Sequence, residues 1–124
     1  MGFLSGVIGN ASTYSKDEAT KELAPLLAKN EEIEAGFKLI RDMIVFTNKR
    51  LLLVDKQGLT GKKIEYHSIP YKSIIHFSVE TAGHFDLDSE LKIWISGLSE
   101  PITKQFKRDD SIYDVQKALA TMCG

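Results

Sequence analysis

At 124 residues, with 43% apolar and 27% charged side chains, the chain can bury one real hydrophobic core but not two, so a single soluble-type domain is expected. Its formal net charge of -1 at pH 7 provides no global field for a polyanion, and no nucleic-acid partner is expected. Cys123 is the only cysteine, which excludes an internal disulfide and fits a reducing, cytoplasmic compartment, and no apolar run approaches the ~20 residues of a membrane-spanning helix.

Residues 1–14 are rich in Gly, Ser and Ala, and Phe3, Leu4, Val7 and Ile8 fall on one side if the segment coils. Gly2, Gly6 and Gly9 each oppose a helix by ~1 kcal/mol, so these apolar residues read as a docking segment rather than an independent element. Its target would be the chain's own barrel, a neighbouring subunit or a membrane surface. The opening also lacks the basic region of a secretory signal, and Gly6 stands where a myristoylation motif wants Ser or Thr. Ser15-Lys16-Asp17-Glu18 is a capping box, with the Ser15 hydroxyl accepting from the Glu18 amide and Glu18 reaching back to the Ser15 amide. It predicts a helix carrying Ala19, Leu23, Leu26 and Leu27 as its apolar stripe, a kink or restart at Pro25, and a left-handed stop at Asn30.

From Ile33 the hydrophobic period changes to two, the spacing of a half-buried strand. The next pair of strands covers residues 43–47 and 50–55, joined across Asn48-Lys49, where Asn tolerates a positive backbone angle. Leu51-Leu52-Leu53-Val54 is apolar on both faces, so one face must meet the core and the other a helix, a tail or a partner. Further strands are predicted over residues 63–69, 73–81, 87–96 and 102–107, separated by turns at Gly58, Gly61, Pro70, Gly83, Gly97 and Pro101. Ser111 and Asp114 then mark a helix start, and Ile112, Val115, Leu119 and Met122 form one stripe at helical spacing. Seven antiparallel strands closed by one helix make a mainly β, partly open barrel or sandwich over residues 31–124, preceded by a tail and helical extension over residues 1–30.

Seven strands followed by one amphipathic helix is the order of the pleckstrin homology superfold. Three segments, Phe46-Thr47-Asn48-Lys49-Arg50-Leu51, Ser68-Ile69-Pro70-Tyr71-Lys72-Ser73-Ile74 and Asp88-Ser89-Glu90-Leu91-Lys92-Ile93-Trp94, resemble the bacterial pleckstrin-homology-like family in the same order. The resemblance implies a non-enzymatic domain, with no cofactor, whose members assemble into rings of identical subunits. It does not carry phosphoinositide binding to this chain. Lys38 and Arg41 stand near the first turn, but Asp42, Met43, Val45 and Thr47 occupy the following strand where basic residues are wanted.

No motif for catalysis or metal binding rises above background. His67, His76 and His84 share no ligand spacing, and Asp86, Asp88 and Glu90 lack the Gly turn and further oxygens of a calcium loop. No Gly-x-Ser-x-Gly elbow or Gly-rich phosphate loop occurs. The charges are nevertheless uneven: residues 36–79 sum to roughly +5, residues 1–35 to about -3 and residues 80–100 to about -4. A basic contact surface of Lys49, Arg50, Lys56, Lys62 and Lys63 is therefore expected, with Phe3, Leu4, Leu52, Tyr71 and Trp94 as candidates for self-association. The function this predicts is a homo-oligomeric binding module, head to tail through unlike faces, that presents a surface to an unidentified protein partner. Weak contact of the basic loops with anionic membranes is the alternative, at roughly 1 kcal/mol per basic residue.

Overall fold

The computed structural model describes residues 15–39, 42–57, 62–81, 88–107 and 112–124. Helix α1 (Lys16–Leu23) begins at Ser15, whose Oγ accepts from the Glu18 N–H at 3.1 Å. The same hydroxyl donates to the Glu18 carboxylate at 3.2 Å, so the Glu18 side chain reaches back to the Ser15 side chain. Pro25 stops the α-helix as expected, and the chain tightens into a 3₁₀ turn over Ala24–Leu26. Asn30, with φ of 62°, supplies the left-handed turn into the first strand.

Two antiparallel sheets follow. Sheet 1 runs β1 (Ile33–Lys38), β2 (Asp42–Thr47), β3 (Arg50–Gln57) and β4 (Lys63–Pro70) in that order; sheet 2 runs β5 (Ile74–Glu80), β6 (Asp88–Ile95) and β7 (Ile102–Lys107). A 3₁₀ turn, Tyr71–Ser73, joins the sheets, and helix α2 (Ile112–Cys123) ends the chain. All seven predicted strands are present within a residue or two of their expected bounds. The turns at Gly58, Gly61 and Gly83 and the cap at Ser111 lie outside the described residues, as do Phe3 and Leu4.

The main core lies between the sheets and under α2. Phe37 and Phe46 meet edge to face at 6.0 Å, Leu51, Leu53 and Ile69 join them from sheet 1, and Leu91, Ile93 and Phe106 come from sheet 2. Ile112, Val115, Ala118 and Leu119 of α2 complete it, with Met122 half-buried at the rim. Such a stripe is what an open barrel end requires, because each fully buried side chain of this kind contributes about 1.5–3 kcal/mol.

A second core lies on the opposite face of sheet 1. Here Met43, Val45, Leu52 and Val54 pack with Ile33 under Ala19 and Leu23 of α1. The doubly apolar run in β3 is thereby explained: Leu51 and Leu53 face the barrel, while Leu52 and Val54 face α1. Leu52 is 0% exposed, so its proposed place in a contact between copies is corrected by the chain's own helix, which has taken that surface.

Among the described residues the two sheets have no ladder in common, and an ion pair crosses between them: Lys104 Nζ of β7 reaches Asp42 Oδ2 of β2 at 3.1 Å. Asp42 stands opposite Asp55 in the β2–β3 register. Burial, followed by the hydrogen bond that the protonated Asp42 carboxyl donates to Asp55, pushes Asp42 above its ordinary value, and Lys104 opposes the rise. The folded state therefore binds the Asp42 proton more tightly than the unfolded chain, and this contribution to stability is lost as pH rises through the raised value.

Two outcomes follow from this packing. Leu23→Ala should lower the unfolding free energy by about 2–5 kcal/mol in a denaturant titration, as a core truncation does, whereas a peripheral helix would give less than about 1 kcal/mol. Asp55→Asn should raise the denaturation midpoint at pH 7, with the gain vanishing below about pH 4 where Asp42 is protonated in either state. A gain that persists unchanged in acid would show that Asp55 acts through packing.

Candidate functional site

The polar feature with the most partners is built where the segment leaving α1 meets the β2–β3 hairpin. Glu31 precedes β1 and its side chain is 0% exposed; Arg50 opens β3 with 23% side-chain exposure. The guanidinium forks onto the carboxylate, Nε donating to Oε2 at 2.8 Å and Nη2 to Oε1 at 3.0 Å. The remaining capacity is used as well. The Ala28 N–H donates to Glu31 Oε1 at 2.8 Å and the Thr47 hydroxyl to Oε2 at 2.7 Å, while Arg50 donates to the Leu26 carbonyl at 2.6 Å and to Ser68 Oγ at 2.7 Å. Burial pushes the Glu31 carboxyl up, but the bonds from Arg50, Ala28 and Thr47 outweigh it and hold the group below its usual range.

The hairpin loop is fixed by the same cluster. Thr47 Oγ accepts from the N–H groups of Lys49 and Arg50, both at 3.0 Å, and the Tyr71 hydroxyl donates to the Thr47 carbonyl at 2.6 Å. Asn48 does not take the positive backbone angle expected of it; among the described non-glycine residues only Asn30 does. Its side chain instead bridges to the preceding segment, Oδ1 accepting from the Glu32 N–H at 2.8 Å and Nδ2 donating to the Asn30 carbonyl at 3.0 Å. Sequence patterning misses this clamp, because a Glu in a polar stretch and an Arg in a basic one carry no periodic signal.

The expected basic surface is thinned accordingly. Arg50 is committed to Glu31 and leaves the candidate contact set, since a guanidinium with its donors satisfied gains little from a phosphate. Lys56 Nζ lies 3.8 Å from Glu22 of α1. Lys49, Lys62 and Lys63 are exposed. Of the self-association candidates, Tyr71 is half-buried rather than exposed, and burial, then the nearby Cys123, pushes its hydroxyl far above the ordinary range. Trp94 is half-buried, stacked on the exposed His76 across the β5–β6 ladder at 4.3 Å between ring centres.

The residues weighed for other chemistry are dispersed. His67 sits on β4 and His76 on β5, while His84 and Asp86 lie outside the described residues. Among the described residues no three His, Cys, Asp or Glu side chains gather to hold a metal. Glu90 pairs with Lys92 at 3.6 Å. Cys123 is half-buried at the end of α2, where burial raises its thiol and keeps it protonated.

The architecture and the sequence agree on a family. The bacterial PH domain profile matches residues 2–123. The chain is 66% identical over 124 residues to the uncharacterized protein YjqA of Bacillus subtilis (strain 168), covering 99% of each. It is similar to the crystal structure of a pleckstrin homology domain from Shewanella amazonensis SB2B, with a TM-score of 0.83, 52% identity and coverage of 99% of this chain and 100% of that one. A DUF1696 family protein with a pleckstrin-homology domain from Shewanella loihica PV-4 gives a TM-score of 0.80, also at 52% identity, over 94% of this chain and 99% of its own. The chain belongs to the bacterial PH domain family.

The clamp is testable by breaking it from either side. Arg50→Ala should cost about 3–5 kcal/mol of unfolding free energy, because it leaves the Glu31 charge buried without a partner. Glu31→Gln should cost most at neutral pH. Its penalty should shrink as pH falls through the lowered Glu31 value, where the wild-type carboxylate is itself protonated; a penalty independent of pH would mean the charge is not what stabilises the loop.

Proposed function

We propose that this bacterial PH domain is a non-enzymatic, cytoplasmic binding module that assembles head to tail with copies of itself and presents the assembled surface to another protein. The observation that carries the reading is the edge of sheet 2. Strand β5 ends the β5-β6-β7 order, and Ile75 on it is 62% exposed, with half-buried Ile74 and Phe77 beside it. Tyr113 on α2, which packs beside β5, is also 62% exposed. An edge strand with a large uncovered apolar side chain is a template for pairing unless something covers it.

The charge distribution supports a heterologous contact. Lys49, Lys62, Lys63 and Lys72 are exposed on or beside sheet 1, while on sheet 2 the exposed Glu80 ends β5 and the exposed Asp88 stands opposite the exposed Lys107. The basic residues of one copy can therefore meet the acidic end of β5 on the next, and repeated head-to-tail contacts close into a ring when the rotation allows. With Leu52 and Arg50 withdrawn, the surface for this contact is β5 and its flanks. Contact with anionic membranes would rest on Lys49, Lys62 and Lys63, about 3 kcal/mol at roughly 1 kcal/mol per residue, which alone is a millimolar-scale attraction.

Light scattering at micromolar concentration should give a mass several times the 13.9 kDa of one chain. Ile75→Lys should shift the population towards the monomer with little change in the fold, since the side chain is exposed. A wild-type monomer, or an oligomer indifferent to Ile75→Lys, would overturn the assignment. Salt-sensitive co-sedimentation with anionic vesicles would favour the membrane contact instead.

A further inference from the structure

The apolar edge of sheet 2 continues into a groove. Ile74, Ile75 and Phe77 of β5 form one side of it, and Ala120 and Cys123 of α2, with Gly124 after them, form the other, around a cavity of about 290 Å³. No charged side chain lines this cavity. Ile75 is 62% exposed and Ala120 is exposed as well, so apolar side chains can enter from outside. The sequence supplies an occupant of matching chemistry. Residues 1–14, which lie outside the described residues, carry no charged side chain in a chain that is 27% charged, and Phe3, Leu4, Val7 and Ile8 are clustered among them. Burying each such side chain contributes about 1.5–3 kcal/mol.

Reach decides which copy provides the segment. The Lys38–Glu18 pair at 3.8 Å sets the start of α1 beside the end of β1, whereas the bond from Arg50 to the Leu26 carbonyl sets its exit beside the start of β3. The Tyr71 hydroxyl on the Thr47 carbonyl places the beginning of β5 at that second end. Ser15 and the groove therefore lie at opposite ends of sheet 1. From Arg50 to Lys56 that sheet is about 20 Å long, and a second layer lies about 10 Å away. The chain from Ile8 to Ser15 spans at most about 25 Å when fully extended. A path to its own groove has to cover the length of the sheet and then round its edge, which leaves Val7 and Ile8 short. The next copy in a head-to-tail assembly imposes no such detour.

We infer that Phe3, Leu4, Val7 and Ile8 of one copy fill the groove between β5 and α2 of the next. The inference rests on the self-assembly proposed above and names the segment that joins the copies. It removes Ile75 and the open side of β5 from water together, and it gives the contact a direction, since the donor and acceptor surfaces of each copy are different.

Cys123 lines the groove and is the only cysteine, so it reports occupancy directly. Chains carrying Leu4→Cys together with Cys123→Ser are co-expressed with wild-type chains and oxidised, and the disulfide-linked peptides are identified by mass. The link between unlike chains should form at least about tenfold faster than in a control where Lys63→Cys replaces Leu4→Cys, because docking holds the two thiols far above their bulk concentration. Lys63 is exposed at the start of β4 and serves as the undocked reference. Ala120→Trp fills the groove from an exposed position and should bring the rate down to that of the control with the circular dichroism spectrum unchanged. An assembly of several chains that links no faster than the control would overturn this inference and leave self-assembly standing. A monomeric mass by light scattering would overturn both. In Leu4→Cys chains that keep Cys123, a disulfide closed within one chain would return the segment to its own groove and overturn the assignment to a neighbour.

Discussion

The bidentate pair between Glu31 and Arg50 is the constraint on which the three-layer arrangement depends. Placing a carboxylate at zero side-chain exposure is costly, and an ion pair alone often fails to recover the desolvation of its two members. Here each Glu31 oxygen accepts two bonds, from Arg50 and either the Ala28 amide or the Thr47 hydroxyl, so little of the penalty is left uncompensated. The same guanidinium holds the Leu26 carbonyl, the last residue of the turn after α1. The segment that delivers α1 to the sheet is thus bolted to the first residue of β3. A salt bridge of this kind specifies geometry: it fixes where the helix leaves the sheet, and the apolar contacts of Ala19 and Leu23 supply the adhesion.

That docking decides which surfaces remain for other molecules. Sheet 1 has the main core on one face and α1 on the other, with β1 and β2 almost wholly buried and β3 buried over Leu51-Leu52-Leu53-Val54. Sheet 2 is one-sided. In β6 the buried positions Leu91, Ile93 and Ile95 alternate with the partly exposed Glu90, Lys92 and Trp94, and no residue of β5 is fully buried. An antiparallel sheet with one wet face is stable as it stands. Its edge is a different matter, because an edge strand offers backbone groups as well as side chains. Among the described residues the large apolar side chains left exposed accordingly stand on β4 (Tyr66), on β5 (Ile75), in the turn after β6 (Leu98) and on α2 (Tyr113), away from the strands whose hydrophobicity is most conspicuous in the sequence.

How much of this was legible in the sequence follows from what kind of signal each residue sends. Strand positions were readable because burial on one face imposes a period of two, and β6 shows that alternation without a break. The capping box at Ser15, the stop at Pro25 and the left-handed Asn30 were readable because each acts through local stereochemistry. The two-faced run in β3 announces that something covers it; the pattern does not distinguish the chain's own helix from a neighbour, and for Leu52 the cover is the helix. Long-range polar pairs leave no pattern at all. Glu31 and Arg50 are 19 residues apart, Tyr71 and Thr47 are 24 apart, and nothing in either neighbourhood distinguishes a clamp from a solvated charge. The family resemblance adds the architecture but not these contacts, and a shared fold leaves ligand and partner open.

Glu31 and Glu34 make the last distinction sharp. Both are glutamates at the start of one strand, both are at least nine-tenths buried, and both line the same cavity. Composition, burial and charge treat them alike. What separates them is the supply of donors: two from the guanidinium of Arg50, one from a backbone amide and one from a hydroxyl for Glu31, and none for Glu34 Oε1. A buried carboxylate whose lone pairs are met is part of the scaffold, and substituting it is a question of stability. One whose oxygen is unmet leaves about 1–3 kcal/mol of desolvation uncompensated, a penalty that Glu31 escapes and Glu34 does not.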